Sequence, residues 1–313
     1  MGTWLPRLTI CLALGSQAAV LWGQQPVWER HMDAALQAAS RHDYATAEDS
    51  FVAAVRELEL SSPNDPHLGP TINSLGLVFR AENKLPQAEI AFRRACMLIA
   101  KANTPDSIDV GNCSMNVGSV MVSLGKYNEA EPFLQKSMRI YSKQLGDKSP
   151  KTASVMAQMG DMYRGLHDYP QAESLLRNAL DIEESARGID DPDVANVVNS
   201  LAELYATQNL NQKAEPLFKL VMSIRESTSG MDSPEFAAAV ERYSTILEKI
   251  GRYQEAERHR KLALAVKSMK KTPTAAPVRR RNAVDLMAPV SIQKPSAIPP
   301  PLPRRGKSVA RIQ

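Results

Sequence analysis

His31, His42, His67, His167 and His259 are the first residues to try as metal ligands or proton shuttles, and they lack metal-ligand spacing. Asp181, Glu183 and Glu184 bring three carboxylates close together. On a helix such a run reads as the solvated face. Gly118 and Gly125 belong to no nucleotide-binding loop, and no nucleophile elbow occurs. Cys96 and Cys113 remain once Cys11, in the apolar N-terminal stretch, is set aside. Two cysteines without a histidine cluster make a poor zinc site, and both read as small buried hydrophobes, with a disulfide as the alternative. The expectation is therefore a protein without catalytic centre, metal or other cofactor, acting by noncovalent recognition.

Any recognising residue must be positioned by a repeat. The pair Ala-Glu occurs at Ala47-Glu48, Ala88-Glu89, Ala130-Glu131, Ala172-Glu173, Ala214-Glu215 and Ala256-Glu257, in steps of 41, 42, 42, 42 and 42 residues. Twelve residues before the repeating alanine stands a small residue: Gly76, Gly118, Gly160, Ala202, Ser244. Four residues after it comes Phe92, Leu134, Leu176, Phe218 and then Arg260. Small residues one helical turn from large apolar ones let two antiparallel helices approach closely. Ser149-Pro150, Asp191-Pro192 and Ser233-Pro234 place a capping side chain before proline, which marks helix starts. Short turns such as Gly125-Lys126-Tyr127 and His167-Asp168-Tyr169 then force the helices antiparallel. Each unit is predicted to be a helical hairpin, with Gly76, Ala88, Gly118, Ala130, Gly160, Ala172, Ala202, Ala214 and Ala256 as the packing positions.

This pattern resembles the tetratricopeptide repeat. Its signature is matched by Leu75-Gly76-Leu77-Val78-Phe79 followed by Ala88-x3-Phe92, and by Leu201-Ala202-Glu203-Leu204-Tyr205 followed by Ala214-x3-Phe218. The 42-residue period, the Gly125–Glu131 turn and the Leu145–Pro150 segment look most like the kinesin-light-chain subtype. The resemblance implies an all-α, right-handed superhelical solenoid of about six hairpins, at 28–61, 66–103, 108–145, 150–187, 192–229 and 234–271. It also implies a binding scaffold whose first helices line a concave side and hold an extended or helical segment of a partner protein. Members of the family grip peptides with asparagine and basic residues on the inner helices. The corresponding positions are Asn73, Arg80, Asn112, Asn116, Arg164, Asn196 and Asn199, with Glu203 beside them. Ala157 and Glu241 interrupt a continuous asparagine ladder.

The 313 residues are 43% hydrophobic and 23% charged, an ordinary soluble balance, and the net charge of +4 conceals a division. From Lys267 onward eleven Lys and Arg face Asp285 alone, a net of +10; with Arg7 set aside, residues 24–266 carry −7. The tail at 272–313, rich in proline and basic residues, is expected to be disordered and to be able to lie on its own acidic body. Pro300–Arg304 has the form of an SH3-type ligand. Arg279–Arg281 has no interleaved aromatic residue, so a nucleic-acid partner is not expected. Residues 1–23 carry one arginine, a short uncharged apolar run and Ser16-Gln17-Ala18, the layout of a secretory signal cleaved near 18–23. The run is short for a membrane span. Secretion or periplasmic location is the expectation; an uncleaved N-terminal anchor, or a cytoplasmic kinesin-light-chain-like adaptor using groove and tail, is the alternative.

Overall fold

The computed structural model describes residues 26–62 and 64–269; the N-terminal segment with Cys11 and the basic tail lie outside them. Among the described residues the chain forms twelve α-helices and no strand. They are α1 (Val27–Ser40), α2 (Tyr44–Ser61), α3 (Leu68–Ala81), α4 (Leu85–Ala102), α5 (Ile108–Ser123), α6 (Tyr127–Leu145), α7 (Pro150–Gly165), α8 (Tyr169–Arg187), α9 (Pro192–Thr207), α10 (Asn211–Ser229), α11 (Pro234–Lys249) and α12 (Tyr253–Met269).

Local chemistry sets where these helices begin and turn. Side-chain oxygens of Ser107, Ser149, Asp191 and Ser233 accept from the backbone N–H of Val110, Thr152, Asp193 and Phe236. Each bond satisfies an otherwise orphaned donor, worth about 1 kcal/mol. Within every hairpin one residue takes the left-handed conformation: His42, Asn83, Gly125, His167, Asn209 and Gly251, with φ between 58° and 85°. Asparagine and glycine tolerate that geometry best. The two histidines are held there by their own helices, Nδ1 of His42 and His167 lying 2.8 Å from the hydroxyls of Tyr44 and Tyr169.

The turn folds each second helix back on its first, and the small residues let the pair close. A Cβ built on Gly76 would stand 2.7 Å from the Phe92 ring, and one on Gly118 or Gly160 would stand 2.6 Å from Leu134 or Leu176. Ala88, Ala130, Ala172, Ala214 and Ala256 are all completely buried, as is Ala202 opposite Phe218. Each large residue enclosed in this way contributes about 1.5–3 kcal/mol. Stacking then joins unit to unit, and the glutamate of the Ala-Glu pair acquires a reason. Glu48 and Glu89 accept from Lys84 and Lys126 of the next unit at 2.6 and 2.7 Å. Glu131, Glu173 and Glu215 accept from the hydroxyls of Tyr163, Tyr205 and Tyr243 at 3.3, 2.8 and 3.1 Å. The result is a solenoid of helical hairpins. First helix α7 also touches both α5 and α9 directly, the approach expected on the inner side of a bent stack.

Two expectations are corrected. Glu183 does not lie on a solvated face: it is 1% exposed and accepts from Arg187 Nε at 2.8 Å, while Arg187 also reaches Asp193 at 3.2 Å. A carboxylate one helical turn from an arginine can be enclosed because its charge stays paired. Cys96 and Cys113 are not separate thiols but a disulfide joining α4 to α5, with Cα atoms 5.0 Å apart. Repeat register showed that each position is buried; it did not show that the two face each other across one junction.

Candidate partner-binding groove

The inner surface is built by α3, α5, α7, α9 and α11, whose polar side chains bridge from one first helix to the next at two recurrent separations. At 43 residues, Asn116 Nδ2 donates to Asn73 Oδ1 at 2.8 Å, and Arg242 Nη1 donates to Asn199 Oδ1. At 39 residues, Lys151 Nζ donates to Asn112 Oδ1 at 2.8 Å, and Ser200 Oγ donates to Asp161 Oδ2 at 3.0 Å. Second helices add two more bonds: Tyr141 donates its hydroxyl to Asn112 Oδ1 at 2.6 Å, and Arg225 donates to Asn196 Oδ1. Arg242 lies 3.7 Å from Glu203, and Arg164 donates to Asp161 at 3.3 Å.

The predicted residues therefore fall into groups. Asn73 pairs with Asn116. Asn199 and Glu203 meet at Arg242, and Arg164 joins Ser200 through Asp161. Asn112 and Asn196 stand where first and second helices meet. Arg80 takes part in none of these bridges; its guanidinium lies 6.0 Å from the centre of the Phe92 ring.

A family model of the tetratricopeptide repeat matches residues 112–185 and again 155–227, which span the third, fourth and fifth hairpins. Hairpin follows hairpin at a 41- or 42-residue step on both sides of that stretch. Residues 112–227 are tetratricopeptide repeats. Solved structures of similar fold include BtubC from P. vanneervenii (TM-score 0.55, 18% identity, covering 82% of this chain and 98% of that one). A putative kinesin light chain of Podosopora anserina is also similar (TM-score 0.51, 17% identity, 66% and 97% covered). So is the Rap conjugation gene regulator of plasmid pLS20, solved with the Phr* peptide (TM-score 0.56, 14% identity, 87% and 80% covered). No curated protein matches the sequence.

Electrostatics in the groove of this tetratricopeptide array follow from partial burial. Desolvation pushes the Asp161 carboxyl up, against the pull of Arg164, the Ser200 hydroxyl and Arg242. Burial pushes Lys151, Arg80 and Arg225 down. Arg164 Nε is buried with no acceptor among the described residues. The amide orientations at Asn112, Asn196 and Asn199 are fixed chemically: lysine and arginine only donate, so the side-chain carbonyl must face the cation. Each amide N–H2 has no protein acceptor among the described residues. Lys151, Asp161, Arg225 and Arg242 were missed by sequence reasoning, which took asparagines and basic residues singly and not as donor–acceptor pairs between helices. The usable signal was complementarity at offsets of 39 and 43 residues, an acceptor on one first helix followed by a donor on the next.

Proposed function

We propose that the array is a non-catalytic scaffold that holds a peptide or helical segment of another protein along its concave face. The observation that carries this reading is the set of asparagines whose carbonyls are tied to Lys151, Arg225 and Arg242. An amide that presents only N–H donors suits the backbone carbonyls of an extended partner, whatever its side chains. The Rap regulator, similar in fold, was solved with a peptide, which supports a peptide as ligand class.

Screening a library of fluorescent extended peptides against the full chain tests this. The best binder should lose roughly 5–150-fold in affinity to an Asn196→Ala/Asn199→Ala variant of unchanged circular dichroism, from two hydrogen bonds at about 0.5–1.5 kcal/mol each. Undiminished affinity in that variant would move the site to the convex face or the tail. Export is the second part of the proposal, supported by the apolar, uncharged stretch ahead of Ser16-Gln17-Ala18. Sequencing the mature N-terminus tests it in the same preparation: a start near Ala19 or Gln24 fits export, and Met1 favours the cytoplasmic adaptor.

A further inference from the structure

Residues 96 and 113 hold one recurrent contact of the array. Seventeen residues separate them, and the same separation relates Met138 to Val155, Leu180 to Val197 and Met222 to Ala239. At those three junctions the paired residues are apolar and belong to common core clusters. Only at the junction between the second and third hairpins are both members cysteine. Two substitutions to the same residue type, on opposite sides of one contact, serve no packing need that methionine and valine do not meet elsewhere. Both cysteines are buried, and their Cα atoms are 5.0 Å apart, within the range a disulfide spans.

We propose that Cys96–Cys113 is a covalent staple specific to this junction, formed in an oxidising compartment. It fixes the second hairpin on the third and keeps the groove bridge between Asn73 and Asn116 in register. Formation is a thiol–disulfide exchange: the two thiols lose two protons and two electrons to an acceptor disulfide, which leaves as two thiols. The bond closes a loop of 17 residues, and its constraint on the unfolded chain stabilises the junction. The staple is independent of what occupies the groove, since its chemistry involves neither partner nor tail.

The test uses the full chain made through an oxidising secretory route, alkylated before digestion. Trypsin should release residues 95–101 joined to residues 102–126, separable by reductant. Reductant should lower Tm by about 6–12 °C, the shift expected for a loop of this size in a domain of this length. Amide exchange should quicken in α4 and α5 while α9 and α10 stay unchanged. A Cys96→Met/Cys113→Val variant takes the residues found one junction later; it should match the reduced protein in Tm and ignore reductant. Two alkylated, unlinked cysteines would overturn the proposal. So would a linked pair whose reduction leaves Tm and exchange in the wild-type protein unaltered, a result that needs no variant to fold.

Discussion

Gly118→Ala tests the close crossing on which each hairpin depends. The added Cβ would stand 2.6 Å from Leu134 Cδ2 and 2.7 Å from Cγ, with the Leu134 backbone nitrogen at 3.4 Å. Carbon atoms in contact prefer about 3.5–4.0 Å, so either the crossing opens by about 1 Å or Leu134 leaves its rotamer. Leu134 is completely buried, so any shift must displace its neighbours. Overpacking of this kind costs about 1–3 kcal/mol, against which the helix gains about 1 kcal/mol from losing glycine. The net effect is destabilisation by roughly 0–2 kcal/mol, opposite in sign to the same change on an uncrowded helix. Leu134→Ala alone leaves a cavity and should cost about 2–5 kcal/mol. In the double variant the new methyl occupies part of that cavity, so the two costs should fall short of additivity by about 1–3 kcal/mol. Urea denaturation followed by circular dichroism measures all four corners of the cycle. Stabilisation of about 1 kcal/mol by Gly118→Ala, or strict additivity, would refute the crossing geometry.

Two further predictions concern pH. Glu48 and Glu89 are held below the ordinary glutamate range chiefly by hydrogen bonds from Lys84 and Lys126, and Glu173 by the bond from Tyr205. Their contribution is present above the unfolded-state pKa and lost as pH falls through the depressed folded values. Acid titration should therefore loosen the unit junctions first, seen as faster amide exchange in the helices flanking them, and a flat stability profile from neutral to acid pH would count against these bonds. Glu183 has the opposite sign: burial pushes its carboxyl up, so its charge costs stability increasingly as pH rises from the ordinary glutamate value through the raised one. Glu183→Gln keeps an acceptor for Arg187 Nε and should raise the urea midpoint at neutral pH while leaving it unchanged in acid; a lower midpoint at neutral pH would show that the ion pair outweighs desolvation.

The hairpins were legible because a helix pair writes its packing into one unit. Gly118, Ala130 and Leu134 are near in sequence, and the 42-residue step repeats the message in unit after unit. Glu183 was misread for a related reason: a run of acids shows periodicity but not which member is enclosed beside Arg187. The groove was half legible. Its asparagines lie on first helices, yet their partners Lys151, Arg225 and Arg242 share no single register and come from both first and second helices. Contacts between neighbouring first helices depend on the angle at which units stack, and that angle is a property of the assembled array.

The same bridges that shape the proposed groove also join its units, so recognition there would depend on stacking. Asn116 cannot reach Asn73, nor Arg242 reach Asn199, unless adjacent first helices keep their spacing. A change in junction angle would move donor and acceptor apart by a distance that grows toward the inner surface and would also turn the asparagine amides away from an incoming carbonyl. Affinity for a partner should then depend on residues that never touch it, including those on the Glu89–Lys126 and Glu173–Tyr205 seams, because these set the angle from behind. Loss of a seam bond leaves each hairpin intact and disturbs only its placement. A weakened seam would therefore appear as loss of binding before loss of helix, whereas a weakened crossing such as Gly118 against Leu134 attacks the hairpin itself and would show both together.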